Sequence, residues 1–127
     1  MSGALCAMMG MVATSTPAPG PLSASILYNG PNPQAITSGF GDTWTNLGHV
    51  LSASTQGGSG SGVTWAWSSS GGGTALTLGT TPQPNARGIQ WAYGGPGESH
   101  TITVTATATD NVTAEVSSAS VSVTLTW

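Results

Sequence analysis

Four carboxylates, Asp42, Glu98, Asp110 and Glu115, and two imidazoles, His49 and His100, are the first side chains to weigh for acid–base or metal chemistry. Glycoside hydrolysis needs two carboxyl groups about 5 to 10 Å apart. Glu98 lies before the run 101–109, and Asp110 and Glu115 lie after it. In an extended chain of about 3.3 Å per residue that places them roughly 30 Å apart. Asp110 and Glu115 are near each other, but they flank a polar turn and are expected to be solvated there. Asp42, Asp110 and Glu115 gathered at one end of a sandwich would offer oxygen ligands to Ca²⁺; solvated loop acids are the simpler reading. His49 and His100 would meet only through strand pairing. His49 alternates with Leu47 and Leu51, as a hydrogen-bonded core or interface residue does. The expectation is a chain with no catalytic residues, no metal site and no cofactor.

Other motifs carry as little chemistry. The glycine-rich stretch 56–62 lacks the terminal Lys-Ser/Thr pair and the following helix that make a phosphate cradle, so it reads as a flexible loop. Cys6 has no partner for an internal disulfide and reads as a small buried hydrophobe in its apolar surroundings. Arg87, the sole fixed positive side chain, falls in a proline-rich loop, where it is either solvated or paired with a neighbouring subunit. Trp44 and Trp91 are candidates for a sugar-stacking surface, set against the commoner use of tryptophan as core or interface in a small β-domain.

Charged residues make up 4% of the 127 residues and the formal net charge is −3. Such a chain lacks the basic footprint of nucleic-acid binding and the basic face of an interfacial membrane helix. So little charge also removes the usual protection against association, which favours a homo-oligomer or a chain that lives assembled.

The elements that would position these residues are strands. From Thr101 to Thr109, threonine alternates with Ile102, Val104, Ala106 and Ala108. A period of two is the mark of a half-buried strand. Ala119, Val121, Val123, Leu125 and Trp127 alternate with Ser and Thr in a second run, and the segment 110–115 between them predicts a hairpin. Further strands are expected at 22–28 (Leu22, Ala24, Ile26 and Tyr28 on one face), 47–54, 63–68 (Val63, Trp65 and Trp67 together), 74–78 and 89–93. Segment 34–46 reads as a loop with a short strand, and 69–73 as a flexible turn. About seven short strands with turn signals between them predict an all-β antiparallel sandwich or barrel.

Ahead of the domain, 1–13 is apolar and rich in methionine. It has no positive n-region of the kind a signal peptide carries and is too short for a membrane span. It reads as a docking arm, with Leu5, Met8, Met9, Met11 and Val12 as the packing residues; the plainer alternative is a short helix or strand folded onto its own domain. Pro17, Pro19 and Pro21 make 14–21 a stiff linker. The expected organisation is arm 1–13, linker 14–21 and sandwich 22–127.

The order Gly-Pro-Gly-Glu-Ser-His-Thr-Ile-Thr-Val-Thr-Ala-Thr-Ala-Thr-Asp-Asn, at 95–111, resembles the closing strands of immunoglobulin-like domains of the bacterial and phage type, including polycystic-kidney-disease-type repeats. Trp65 or Trp67 then takes the place of their core tryptophan. His100 stands where the aromatic of that turn is expected, no disulfide pair exists, and the glycine-aspartate segment of the repeats is missing after Trp67. The resemblance covers roughly 47–127. With the apolar arm and the linker, the chain as a whole resembles a small virion protein of a tailed bacteriophage. That implies a non-enzymatic structural role on the particle surface, as head decoration or cement or as a tail or fibre component, with other virion proteins as partners. In that setting the sequon Asn111-Val112-Thr113 carries no glycan. The alternative is a β-sandwich module that binds a carbohydrate or a cell surface, with a host-surface glycan as ligand.

Overall fold

The computed structural model describes residues 20–36, 45–71, 76–78, 84–91 and 95–127. The arm 1–13, most of the linker, Cys6, Asp42 and Trp44 lie outside the described residues, as do the side chains of Leu47, His49 and Trp91. Every regular element among the described residues is a strand: β1 (Ser23–Tyr28), β2 (Gln34–Ala35), β3 (Thr45–Gln56), β4 (Val63–Gly71), β5 (Leu76–Leu78), β6 (Ala86–Trp91), β7 (Ser99–Asp110) and β8 (Val116–Thr126). No helix among them is long and apolar enough to cross a membrane. The strands form two four-stranded sheets, in the orders β1-β3-β6-β5 and β2-β8-β7-β4, which face each other as a β-sandwich.

The hairpin expected from the period-two runs is the spine of the second sheet. β7 and β8 pair antiparallel without a break from Ser99 opposite Thr126 to Thr109 opposite Val116. Ile102, Val104, Ala106 and Ala108 are buried on β7, and Val123 and Leu125 on β8. With Leu51 and Ile89 from the first sheet and Ile36 just after β2 they form the core, flanked by Ile26, Tyr28, Trp67, Val121 and Trp127. Full burial of such aliphatic side chains stabilises by about 1.5 to 3 kcal/mol each.

On β4 large residues stand beside small ones. Trp67 lies opposite Ala106 and Trp65 opposite Ala108, so the alanines of the Thr-Ala-Thr-Ala run leave room for neighbouring indoles. The inner-facing Ser117 of β8 crosses to the first sheet, where its Oγ accepts the backbone N–H of Ala24 at 2.9 Å.

The outer face of β7 and β8 is a hydroxyl ladder. Thr101 bonds Thr124, Thr103 bonds Ser122, Thr105 bonds Ser120 and Thr107 bonds Ser118, at 2.7 to 2.9 Å. Each rung joins directly opposed residues, the unit that stabilises an antiparallel pair. Water replaces a lost partner here, so one rung contributes little. Thr105→Val is expected to change stability by no more than about 0.5 kcal/mol, measured by urea unfolding.

Several elements differ from the sequence expectation. There are eight strands among the described residues, against about seven. β3 runs from Thr45 to Gln56 and its register shifts between Asn46 and Val50; Leu51 and Ala53 are buried as expected. β4 continues to Gly71 through the segment read as a turn, because Ser69, Ser70 and Gly71 keep their ladder with β7. Arg87 is on β6, opposite Leu51, and half-buried. The loop expected around it ends at Asn85, where hydrogen bonds to Ala53 fasten the chain to β3. The short strand foreseen within 34–46 is β2, which pairs parallel with the end of β8.

Candidate functional site

Of the polar residues singled out in the sequence, Glu98, His100, Asp110 and Glu115 lie at or near the two ends of β7, whereas His49 is on β3 and Arg87 on β6. Glu98 precedes β7 and Asp110 closes it, so the two carboxylates lie at opposite ends of the sandwich, as the spacing required. Neither is placed to act with the other on one substrate.

Asp110 flanks an exposed turn at 111–114, but its own side chain is not solvated there. It is fully buried, at 0% exposure, and four donors surround it. Oδ2 accepts the Ser59 backbone N–H at 2.6 Å, and Oδ1 accepts the Ser59 hydroxyl at 2.8 Å, Val112 N–H at 2.8 Å and Thr113 N–H at 3.1 Å. The Val112 and Thr113 bonds form the local turn that aspartate makes with the backbone two and three residues on. The Ser59 bonds come from the crossover between β3 and β4, which passes from one sheet to the other. Asp110 therefore fastens two turns together. Asn111 N–H to Gly62 O at 2.9 Å and Thr64 Oγ1 to Asn111 Oδ1 at 2.8 Å extend the seam. The Ser59 backbone N–H, foremost, and then the donors from Val112, the Ser59 hydroxyl and Thr113 hold the carboxyl far below the usual carboxylate range, against the opposing effect of desolvation.

The glycine-rich stretch is thus a fitted part of the clasp. Gly57 and Gly58 have φ of 72° and 65°, the left-handed region that glycine enters without penalty. A Cβ on Gly57 would run into Pro21 O, and one on Gly58 would lie 2.6 Å from Asp110 Oδ2. Gly60 has φ of 75° but open space around it. Gly58→Ala is accordingly expected to destabilise by well over 1 kcal/mol, and Gly60→Ala by about 1 kcal/mol from backbone strain alone. Urea midpoints of the two variants check the order; equal losses would mean that contact with Asp110 is unimportant.

At the other end, Glu98 bridges a tight turn. Its Oε2 accepts Gly95 N–H at 2.9 Å and lies 3.0 Å from His100 Nε2. The Gly95 bond, then that of His100, lowers its pKa. The His100 ring stands edge-on to Trp127, with centroids 5.2 Å apart. His100 is thus tied to the turn and to the end of β8. Glu115 is half-buried and accepts the Thr113 hydroxyl at 3.2 Å. Among the described residues no three His, Cys, Asp or Glu side chains gather where they could hold a metal ion. For the Ca²⁺ grouping, Asp42 lies outside the described residues, and the oxygens of Asp110 already accept four protein donors.

Of the two aromatics considered for ligand stacking, Trp91 is placed by its backbone in β6, opposite Thr45 and Leu76. Trp67 is the aromatic with a defined role. It packs on the core, and its Nε1–H donates to Pro84 O at 3.0 Å, just ahead of β6 in the other sheet. Sequence reasoning missed the Asp110 clasp and the side chain of Asn32. Asn32 accepts Thr124 N–H at 3.0 Å and donates to Ser122 O at 2.8 Å, taking up strand-like bonds to β8 ahead of β2. The signal for the local half of the clasp was present, since an aspartate ending an alternating strand directly before a turn favours bonds to the backbone two and three residues on; the Ser59 half had none.

Compared with protein-family models, with curated proteins and with solved structures, the chain has no significant match in any of the three.

Proposed function

We propose that the chain is a non-enzymatic structural protein of a tailed-bacteriophage particle. Its arm, through Leu5, Met8, Met9, Met11 and Val12, docks into another virion protein, and an immunoglobulin-like sandwich is displayed on the particle surface. Strand order supports the immunoglobulin-like part of the reading. First, second, fifth and fourth strands of such a domain share one sheet, and the third, sixth and seventh share the other. β1-β3-β6-β5 and β8-β7-β4 follow that order when the short β2 is set aside as an addition beside the last strand. Trp67 on β4 then occupies the core-tryptophan position.

The observation that carries the structural role is how the polar groups of the domain are used. Asp110 is saturated by two turns, Glu98 is held by Gly95 and His100, and the outer hydroxyls bond each other in rungs. Such a surface is nearly uncharged, with its outer hydroxyls paired, and suited to close packing among neighbours. The test is a comparison of the full chain with one lacking 1–21 on purified particles. The full chain is expected to sediment with them, and the shortened chain to remain folded in the supernatant. Retention of the shortened chain would remove the arm from the account. Saturable quenching of tryptophan fluorescence by a glycan would replace particle docking with recognition of a host surface.

A further inference from the structure

The edge of the second sheet goes beyond the particle reading, which places association in the arm. Sheet edges usually carry devices against pairing with another chain: short length, charge, proline or a bulge. β2 has two residues and is preceded by Pro31 and Pro33; β5 has three residues; β1 has six, between Pro21 and Pro31. β4 has none of these protections. It has nine residues without a charge or a proline, and its register with β7 runs unbroken from Val63 opposite Asp110 to Gly71 opposite Ile102. Among the described residues β7 is the only strand that pairs with it.

We infer that β4 is a homodimer edge, pairing antiparallel with β4 of a second copy about a two-fold axis through Trp67. Three features favour a second copy as the occupant. The first is register. Residue 67 is the midpoint of 63–71, so this pairing uses the whole strand and sets even positions against even and odd against odd. A slip by one residue would put outer side chains against inner ones. The second is side-chain fit. On the outer face Thr64 meets Ser70 of the other copy, repeating the hydroxyl rungs of β7 and β8, and Ala66 meets Ser68. On the inner face the exposed Ser69 is covered by Trp65 of the other copy. The third is charge: β4 and the rungs beside it carry none, so two copies meet without repulsion. Nine paired residues supply about eight to ten main-chain hydrogen bonds, against about ten in a standard interface. The product is one continuous eight-stranded sheet.

Light scattering on the full chain tests this. Wild type is expected at twice the 12.5 kDa of one chain, or at a larger even multiple if the arm adds contacts. Ala66→Lys with Ser68→Lys opposes like charges across the axis at two exposed outer positions, and is expected to weaken dimerisation at least about tenfold while far-UV circular dichroism and the melting curve of the monomer stay unchanged. Ala66→Glu with Ser68→Lys sets opposite charges face to face, and is expected to restore the wild-type mass. Amide exchange along 63–71 should also slow as wild-type concentration rises. A wild-type chain at the mass of one copy overturns the inference, as does a wild-type mass that the paired lysines leave unchanged.

Discussion

Asp110→Ala is expected to lower the melting temperature by about 5 to 10 °C, because it removes the buried acceptor on which the part-buried Ser59, Val112 and Thr113 donors converge. Asp110→Asn keeps an acceptor at Oδ1 but turns an NH₂ group toward the Ser59 N–H. It should therefore lose about half as much. The same residue sets the acid limb of stability. Its folded-state pKa is depressed, so the native domain resists protonation while the unfolded chain takes up a proton near the ordinary value of about 4. The stabilisation is fully present above that value and is lost as the pH falls through and below it. Glu98, lowered in the same direction, adds a contribution of the same sign. Urea unfolding between neutral pH and pH 2.5 should show parental stability declining from about pH 4.5 downward, and a shallower decline for Asp110→Ala. An unchanged acid slope in that variant would show that the proton linkage lies elsewhere.

Trp67→Ala is expected to cost about 3 kcal/mol, and Trp67→Phe about 1 kcal/mol. The indole fills the space left by Ala106, packs on the core and donates to Pro84 O across the gap between the sheets. Truncation removes all three contributions. Phenylalanine retains most of the packing and leaves Pro84 O without this partner. The reverse change, Ala106→Leu, forces a larger side chain against the same indole and should cost about 1 to 3 kcal/mol. Circular dichroism is the appropriate probe, since the substitution removes a fluorophore. Losses below about 0.5 kcal/mol for Trp67→Ala would mean that the ring is a surface feature.

The parts of this fold that could be read from the sequence are those governed by one repeating choice. Alternation from Ile102 to Ala108 and from Ala119 to Trp127 set both the faces and the register of β7 and β8, since a slip of one residue would have exposed the whole apolar set. The strand ends and turns were harder. Ser69, Ser70 and Gly71 have turn composition, yet they stay in β4 because β7 is there to receive their hydrogen bonds. Composition likewise suggested mobility for 56–62, whereas Gly57 and Gly58 are needed for tight backbone contacts with Pro21 and Asp110. The role of Asp110 could not be inferred without knowing that the β3–β4 crossover passes over the end of β7. That long-range pairing joins residues 51 positions apart, and a polar side chain next to a turn is otherwise well satisfied by water. Side chains such as Asn32 take up backbone-like bonds only because β8 happens to lie alongside.

The parallel contact between β2 and β8 has a mechanical consequence. Gln34 and Ala35 lie beside Leu125 and Thr126, Ile36 N–H donates to Thr126 O at 2.7 Å, and Asn32 carries the same seam back to Ser122 and Thr124. A pull applied at Pro21 and at Trp127 would first load the pairing of β1 with β3 and, once β1 has detached, would draw these two segments past each other along their length. The bonds between them would then share the load and yield together, as a lap joint does, instead of opening in turn like a zip. Once β1 has left, resistance to tension would thus fall on a seam of a few residues, two of which, Ile36 and Leu125, also belong to the core.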